Sequence, residues 1–172
     1  MVGVKLRFAT INDYSEFKEM DEISWNDWIL GREDPCNPRP KKSSSNYKLE
    51  FSEEDIQRMI EEAQITLTKF DKLVKAERAF ILEKDGENIG FVILGDCYKG
   101  YYRIYCWLLT EEDKNISIRR ECLKQLAFMA PKRCRGFSIC TFDHGIELKQ
   151  LGFRNECFSF YYIDIADIKK AS

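Results

Sequence analysis

The residues best equipped for chemistry are seven cysteines (Cys36, Cys97, Cys106, Cys122, Cys134, Cys140 and Cys157), a single histidine, His144, and tyrosines in aromatic-rich segments. No Cys-x-x-Cys pair occurs, and one histidine cannot complete an ordinary zinc ligand set, so no metal site is expected. The odd cysteine count predicts reduced thiols used as small apolar side chains. Cys106 would become a nucleophile only beside a cation that lowers its pKa, and no partner base is visible in the sequence. Core packing is its expected role, and His144 reads as an incidental surface side chain. Tyr105, Tyr161 and Tyr162 lie in strand-like segments. Glu83 and Asp96 are candidate bases by location alone.

Anion binding is the second chemistry on offer. The polar run Thr110-Glu111-Glu112-Asp113-Lys114-Asn115 leads into an amphipathic helix from Ile116 to Ala130, with Ile118, Cys122, Leu126 and Met129 along one side and Pro131 ending it. The first N–H groups of a helix lack partners and sit at the positive end of its dipole, so a phosphate can rest there. Lys114 and Arg119 would favour such an anion; the acids at 111–113 oppose it. The basic run Lys132-Arg133-Cys134-Arg135 could touch a further phosphate or form a solvated turn.

These residues need elements to position them. Val4 to Ala9 alternates as a strand does, and Thr10-Ile11-Asn12-Asp13 looks like a helix entry followed by Tyr14, Phe17 and Met20 at helical spacing. Residues 31–48 hold three of the four prolines and three consecutive serines, which predicts a long loop. From Ser52, a capping start leads to the stripe Ile56, Met59, Ile60, Ala63, Leu67 and Phe70, read as one amphipathic helix. Arg78 to Glu83 and Ile89 to Leu94 flank Asp85-Gly86, a hairpin signal, and Tyr101 to Leu109 is an aromatic strand. Phe137 to Phe142 predicts another strand, Gly145 to Gln150 a short helix stopped by Gly152, and Phe158 to Ile165 a last strand.

Composition bounds what this assembly can be. With 172 residues, 44% of them hydrophobic, the chain suits one domain with a sizeable core. Lys and Arg number 27 against 29 acids, a formal charge of -2 that argues against general nucleic-acid binding. No stretch approaches the roughly 20 apolar residues that span a bilayer, and Met1-Val2-Gly3-Val4-Lys5 lacks an apolar export segment. A cytoplasmic location, with no membrane or nucleic-acid partner, is the expectation.

Two stretches make the element order specific. One is the hairpin Phe80-Ile-Leu-Glu-Lys-Asp-Gly-Glu-Asn-Ile-Gly-Phe-Val, followed by an aromatic strand and a long helix. The other is Leu151-Gly152-Phe153-Arg154 before the final strand. Together, over nearly the whole chain, they resemble the GNAT superfamily of N-acyltransferases. The resemblance implies an α/β (α+β) fold over residues 1–172, a single mixed, mainly antiparallel sheet flanked by helices. The strands ending at Leu109 and beginning at Phe137 should be neighbours that splay apart at one end. It also implies an N-acetyltransferase that takes its acyl group from acetyl-CoA and gives it to a small-molecule or peptide amine. The alternative is a binding or interaction module of the same fold without turnover. Oligomeric state stays open, a dimer included.

The resemblance assigns residues as well. The family's phosphate loop, Arg/Gln-x-x-Gly-x-Gly/Ala, fits 109–119 without a gap, placing Lys114 beside the first glycine position. The glycines fall near Asn115, Ser117 and Arg119. CoA would then meet Leu108, Leu109 and Thr110, and its pyrophosphate the N–H groups of Asn115, Ile116, Ser117, Ile118 and Arg119. A main-chain N–H within Trp107, Leu108 and Leu109 would face the oxyanion. The family's thiolate acid, a tyrosine three residues before the Leu-Gly-Phe leucine, is Leu148 here. Tyr105, Tyr161 and Tyr162 are the replacements this leaves. Acceptor specificity is expected from Trp25, Trp28 and the 31–48 loop.

Overall fold

The computed structural model describes residues 3–30, 52–140, 146–157 and 160–170. The 31–48 loop and His144 lie outside them, as do the side chains of Trp25 and Trp28. Strand β1 (Val4–Phe8) buries Val4 and Leu6 and leaves Lys5 exposed, as its alternation requires. A 3-10 turn, Ile11–Asp13, then opens helix α1 (Tyr14–Leu30). Asp13 closes the entry by accepting from the Thr10 N–H at 2.6 Å and the Thr10 hydroxyl at 2.8 Å.

The helix predicted as continuous through Phe70 is two helices, α2 (Glu53–Ala63) and α3 (Leu67–Lys75). Gln64 is extended, and the Thr66 hydroxyl caps α3 by accepting from the Lys69 N–H at 3.3 Å. The break serves packing: Ile65 between the two helices is buried in the core, and Phe70 of α3 stacks on Phe17 at 5.0 Å.

Strands β2 (Ala79–Lys84) and β3 (Glu87–Tyr98) form the expected hairpin; Asp85 and Gly86 both take positive φ, 55° and 87°. β3 runs four residues past its predicted end before returning as β4 (Tyr101–Leu109). A second 3-10 turn, Glu111–Asp113, precedes α4 (Ile116–Met129), and β5 (Gly136–Cys140) follows. The C-terminal part holds α5 (Ile146–Gln150), β6 (Arg154–Cys157), β7 (Phe160–Asp164) and α6 (Ile165–Lys170). Sequence reading missed β6 and α6. The segment Arg-Asn-Glu-Cys has no apolar alternation, and it forms a strand because β7 offers it a pairing edge.

The sheet has seven strands in the order β1-β2-β3-β4-β5-β7-β6. Every adjacent pair is antiparallel except β4–β5. On one face, α1 and α3 press Phe17 and Phe70 against Ile81, Phe91, Ile93 and Leu108. On the other, α4, α5 and α6 bury Leu123, Leu126, Leu148 and Ile168 against Phe80, Val92, Trp107, Phe137 and Tyr161. Cys97, Cys106, Cys122, Cys134 and Cys140 are thiols rather than disulfides.

Candidate functional site

The site begins with a one-residue irregularity in β4. Ile93 pairs with Cys106 but Leu94 pairs with Ile104, so Tyr105 is an extra residue in the ladder. Such a bulge bends its strand and increases the local twist. On its other edge β4 runs parallel to β5 for three rungs, Tyr101 with Gly136, Tyr102 with Phe137 and Arg103 with Ser138. Ile139 and Cys140 stay paired with Tyr161 and Phe160 of β7 but no longer with β4. The sheet therefore opens as a V just where the bulge turns β4 away. Beyond Arg103, β4 has backbone groups that no strand satisfies among the described residues, and an extended ligand could take them up.

The loop from β4 to α4 is held by its own hydrogen bonds. Thr110 N–H donates to Ile89 O at 2.9 Å, and Asn115 N–H donates to Asp113 O at 2.7 Å. Asp113, 5% exposed, accepts from Lys84 Nζ at 2.7 Å and from the Thr110 hydroxyl at 3.0 Å. The Lys84 ammonium holds its carboxyl below the usual carboxylate range. One of the three acids expected to oppose an anion is thus neutralised within the fold. Asn115 Oδ1 caps α4 by accepting from the Ile118 N–H at 3.0 Å, and the Arg119 N–H goes to Asn115 O at 3.2 Å. Among the described residues, the N–H groups of Ile116 and Ser117 meet no acceptor.

The two cations assigned to this loop are placed differently. Lys114 is half-buried and borders a cavity of about 200 Å³ with Met20, Ile23 and Ser24 of α1 and Leu108, Leu109 and Thr110 of β4 and its loop. Arg119 is 2% exposed, with its guanidinium carbon 5.2 Å from the centre of the Trp107 ring. A larger concavity of about 500 Å³ lies along α2 between Glu54, Gln57, Arg58 and Glu61, and among the described residues no strand residue borders it.

The three tyrosines are not brought together. Tyr161 is 3% exposed in the core under α4. Tyr162 points to the opposite face, edge-on to Tyr101 at 5.9 Å and beneath the Arg154 guanidinium at 4.8 Å. Tyr105 is 45% exposed on the α1 side, where its hydroxyl donates to Ala63 O at 2.9 Å. Burial pushes its phenol up, helped by Cys106 and Asp21, while Arg103 pulls the other way. It therefore stays protonated at neutral pH, the form an acid needs. Leu148, in the tyrosine position of the resembled family, is core at 1% exposure.

Several weaker candidates have other work. Glu83 accepts from Arg7 Nε at 2.6 Å, and Asp96 lies 3.4 Å from Arg78. Cys106 is half-buried against the α1 side of the core, and Arg135 lies over the Tyr101 ring at 5.7 Å. Arg103 and Asp21 escaped the sequence reading. Arg103 is the one charge in Tyr101–Leu109, a signal that was available. Asp21, 9% exposed, sits four residues after Phe17 on the sheet-facing side of α1, and only packing shows that.

No family model matches the sequence, and no curated protein matches it. Solved structures do match, over nearly the whole chain. The PaiA N-acetyltransferase of Thermoplasma acidophilum, in complex with coenzyme A, gives a TM-score of 0.61 at 15% identity, covering 93% of this chain and 97% of its own. A GNAT family acetyltransferase from Streptococcus agalactiae gives 0.62 at 12% identity, covering 94% and 95%. Another from Brucella melitensis, in complex with acetyl-CoA, gives 0.51 at 16% identity, covering 95% and 89%. The chain has the GNAT fold.

Proposed function

We propose that this protein is a cytoplasmic N-acetyltransferase that transfers an acetyl group from acetyl-CoA to the amino group of a small-molecule or peptide acceptor. The observation that carries this is the V between β4 and β5, opening after three rungs with the start of α4 directly beyond the β4 end. A thioester arm lying along β4 takes up the backbone groups that β5 leaves, between Trp107 and Thr110. The N–H groups of Ile116 and Ser117 receive the pyrophosphate, with the dipole of a helix 14 residues long behind them. Asn115 and Ile118 frame that start, and Lys114, at the edge of the cavity, supplies the cation. Arg119 lies under the helix and supports it from below.

The reaction needs a neutral amine, a donor for the developing oxyanion and a proton for the departing thiolate. The amine nitrogen attacks the thioester carbonyl, the carbon–sulfur bond breaks, and the amine's proton is lost as the thiol gains one. A main-chain N–H of β4 meets the oxyanion. Tyr105 delivers the proton to sulfur, because of the three tyrosines it is the exposed one and it lies on the β4 bulge.

Titration calorimetry with acetyl-CoA and CoA, followed by mass-spectrometric detection of acetylated amines, tests the reading. Acetyl-CoA binding with turnover supports it. No binding at millimolar acetyl-CoA removes it. One observation favours a second reading, a binding module of the same fold: the tyrosine position holds a buried leucine, Leu148. Binding without turnover on any amine would establish that alternative.

A further inference from the structure

At the apex of the V, on the face that carries α1, an exposed cation stands beside the bulge. Arg103 occupies the last β4–β5 rung, opposite Ser138, which is 4% exposed. Among the described residues Arg103 has no acidic partner. Its neighbour on the same face is Tyr105. A side chain at Gly95 of β3 would lie 3.6 Å from Tyr105 Cβ and 3.9 Å from Arg103 Cβ, so Gly95 leaves an open floor between the two. The Arg103 guanidinium is close enough to act on the Tyr105 phenol.

We propose that the acceptor is a zwitterion of the amino-acid type, its carboxylate held by Arg103 and its amino group directed along the Gly95 floor toward Tyr105. The guanidinium fork matches a carboxylate in two parallel hydrogen bonds, which fixes orientation as well as position. A simple amine forgoes that ionic contact and should be the poorer acceptor. This inference rests on the acetyl-transfer reading and names its acceptor class.

The test compares matched acceptors on the full-length protein with saturating acetyl-CoA: L-leucine against isoamylamine, and L-phenylalanine against phenethylamine. The amino acid of each pair should be acetylated with the higher kcat/KM. Arg103→Gln should lower that kcat/KM by roughly 10- to 100-fold, mainly through KM, as expected for a lost ionic hydrogen-bond pair. Arg103→Lys should restore part of it, and acetyl-CoA affinity should not change in either variant. Calorimetry with N-acetyl-L-leucine and the CoA-loaded protein reads the same contact without turnover, and Arg103→Gln should weaken that binding by a similar factor. Equal or better use of the decarboxylated amines overturns the proposal, as does an Arg103→Gln enzyme that keeps the wild-type preference. Acetyl-CoA binding with neither member of either pair acetylated, and no N-acetyl-L-leucine binding, overturns the acceptor class alone. Failure to bind acetyl-CoA overturns the acetyl-transfer reading and this inference with it.

Discussion

The Arg119 guanidinium lies over the Trp107 ring, 5.2 Å from its centre, with both side chains 2% exposed. A desolvated cation on an aromatic face is worth about 2 kcal/mol or more, and its charge is spent on the joint between β4 and α4. Arg119→Met should therefore lower the unfolding free energy in urea by about 2 kcal/mol while leaving acetyl-CoA affinity close to wild type. Lys114→Glu should do the reverse, keeping stability and weakening acetyl-CoA by about tenfold, measured by calorimetry. Equal loss of affinity in both variants would return Arg119 to the phosphate site.

Tyr105 is separated from the other two tyrosines by its exposure and its place on the bulge. Tyr105→Phe should reduce kcat by about 10²–10⁴-fold at saturating acceptor, the ordinary effect of removing a general acid. Tyr161→Phe and Tyr162→Phe should retain most activity. If all three retain it, thiolate departure relies on water.

The Lys84–Asp113 ion pair makes the β4–α4 loop sensitive to acid. Hydrogen bonding to Lys84 lowers the Asp113 carboxyl below its ordinary 3.8. A carboxylate lowered by folding adds stability above its unfolded pKa and loses it as pH falls through the folded value. Wild type should thus exceed Lys84→Met in thermal midpoint at neutral pH, and the gap should narrow as pH falls below 3.8 through the lowered carboxyl value. A gap unchanged by pH would show that the pair does not couple to folding.

Phe17 is fully buried, stacked on Phe70 at 5.0 Å and edge-on to Phe91 at 5.4 Å. It is the contact by which α1 is anchored to the sheet and, through Asp21 and Ser24 further along, to the site. Phe17→Ala should cost about 3–5 kcal/mol in chemical denaturation. Phe17→Leu, closer in volume, should cost far less and preserve activity.

Much of this molecule could be read from periodicity and punctuation. The alternation of Val4 to Phe8, the Asp85-Gly86 turn and the stripe of Ile118, Cys122 and Leu126 are local patterns, and each dictates its element from a few neighbouring residues. The element order carried the fold for the same reason. The parting of β4 from β5 was expected only from the resemblance of that element order to a known superfamily, not from any local pattern. Where tertiary structure decided, the cause was a partner distant in sequence. The helix break at Gln64 answers the packing of Phe70 on Phe17, and β6 exists because β7 lends it an edge. Arg119 reads as a surface cation in a polar turn until Trp107 is placed beneath it. Glu83 reads as a spare carboxylate until Arg7 meets it across a strand pair. The candidate site is of both kinds: Tyr105, Lys114 and the start of α4 were named from the sequence, whereas Gly95 and Arg103 join them only through tertiary structure. The β3–β4 pairing and the bulge within it make Gly95, Arg103 and Tyr105 neighbours, which no local pattern shows.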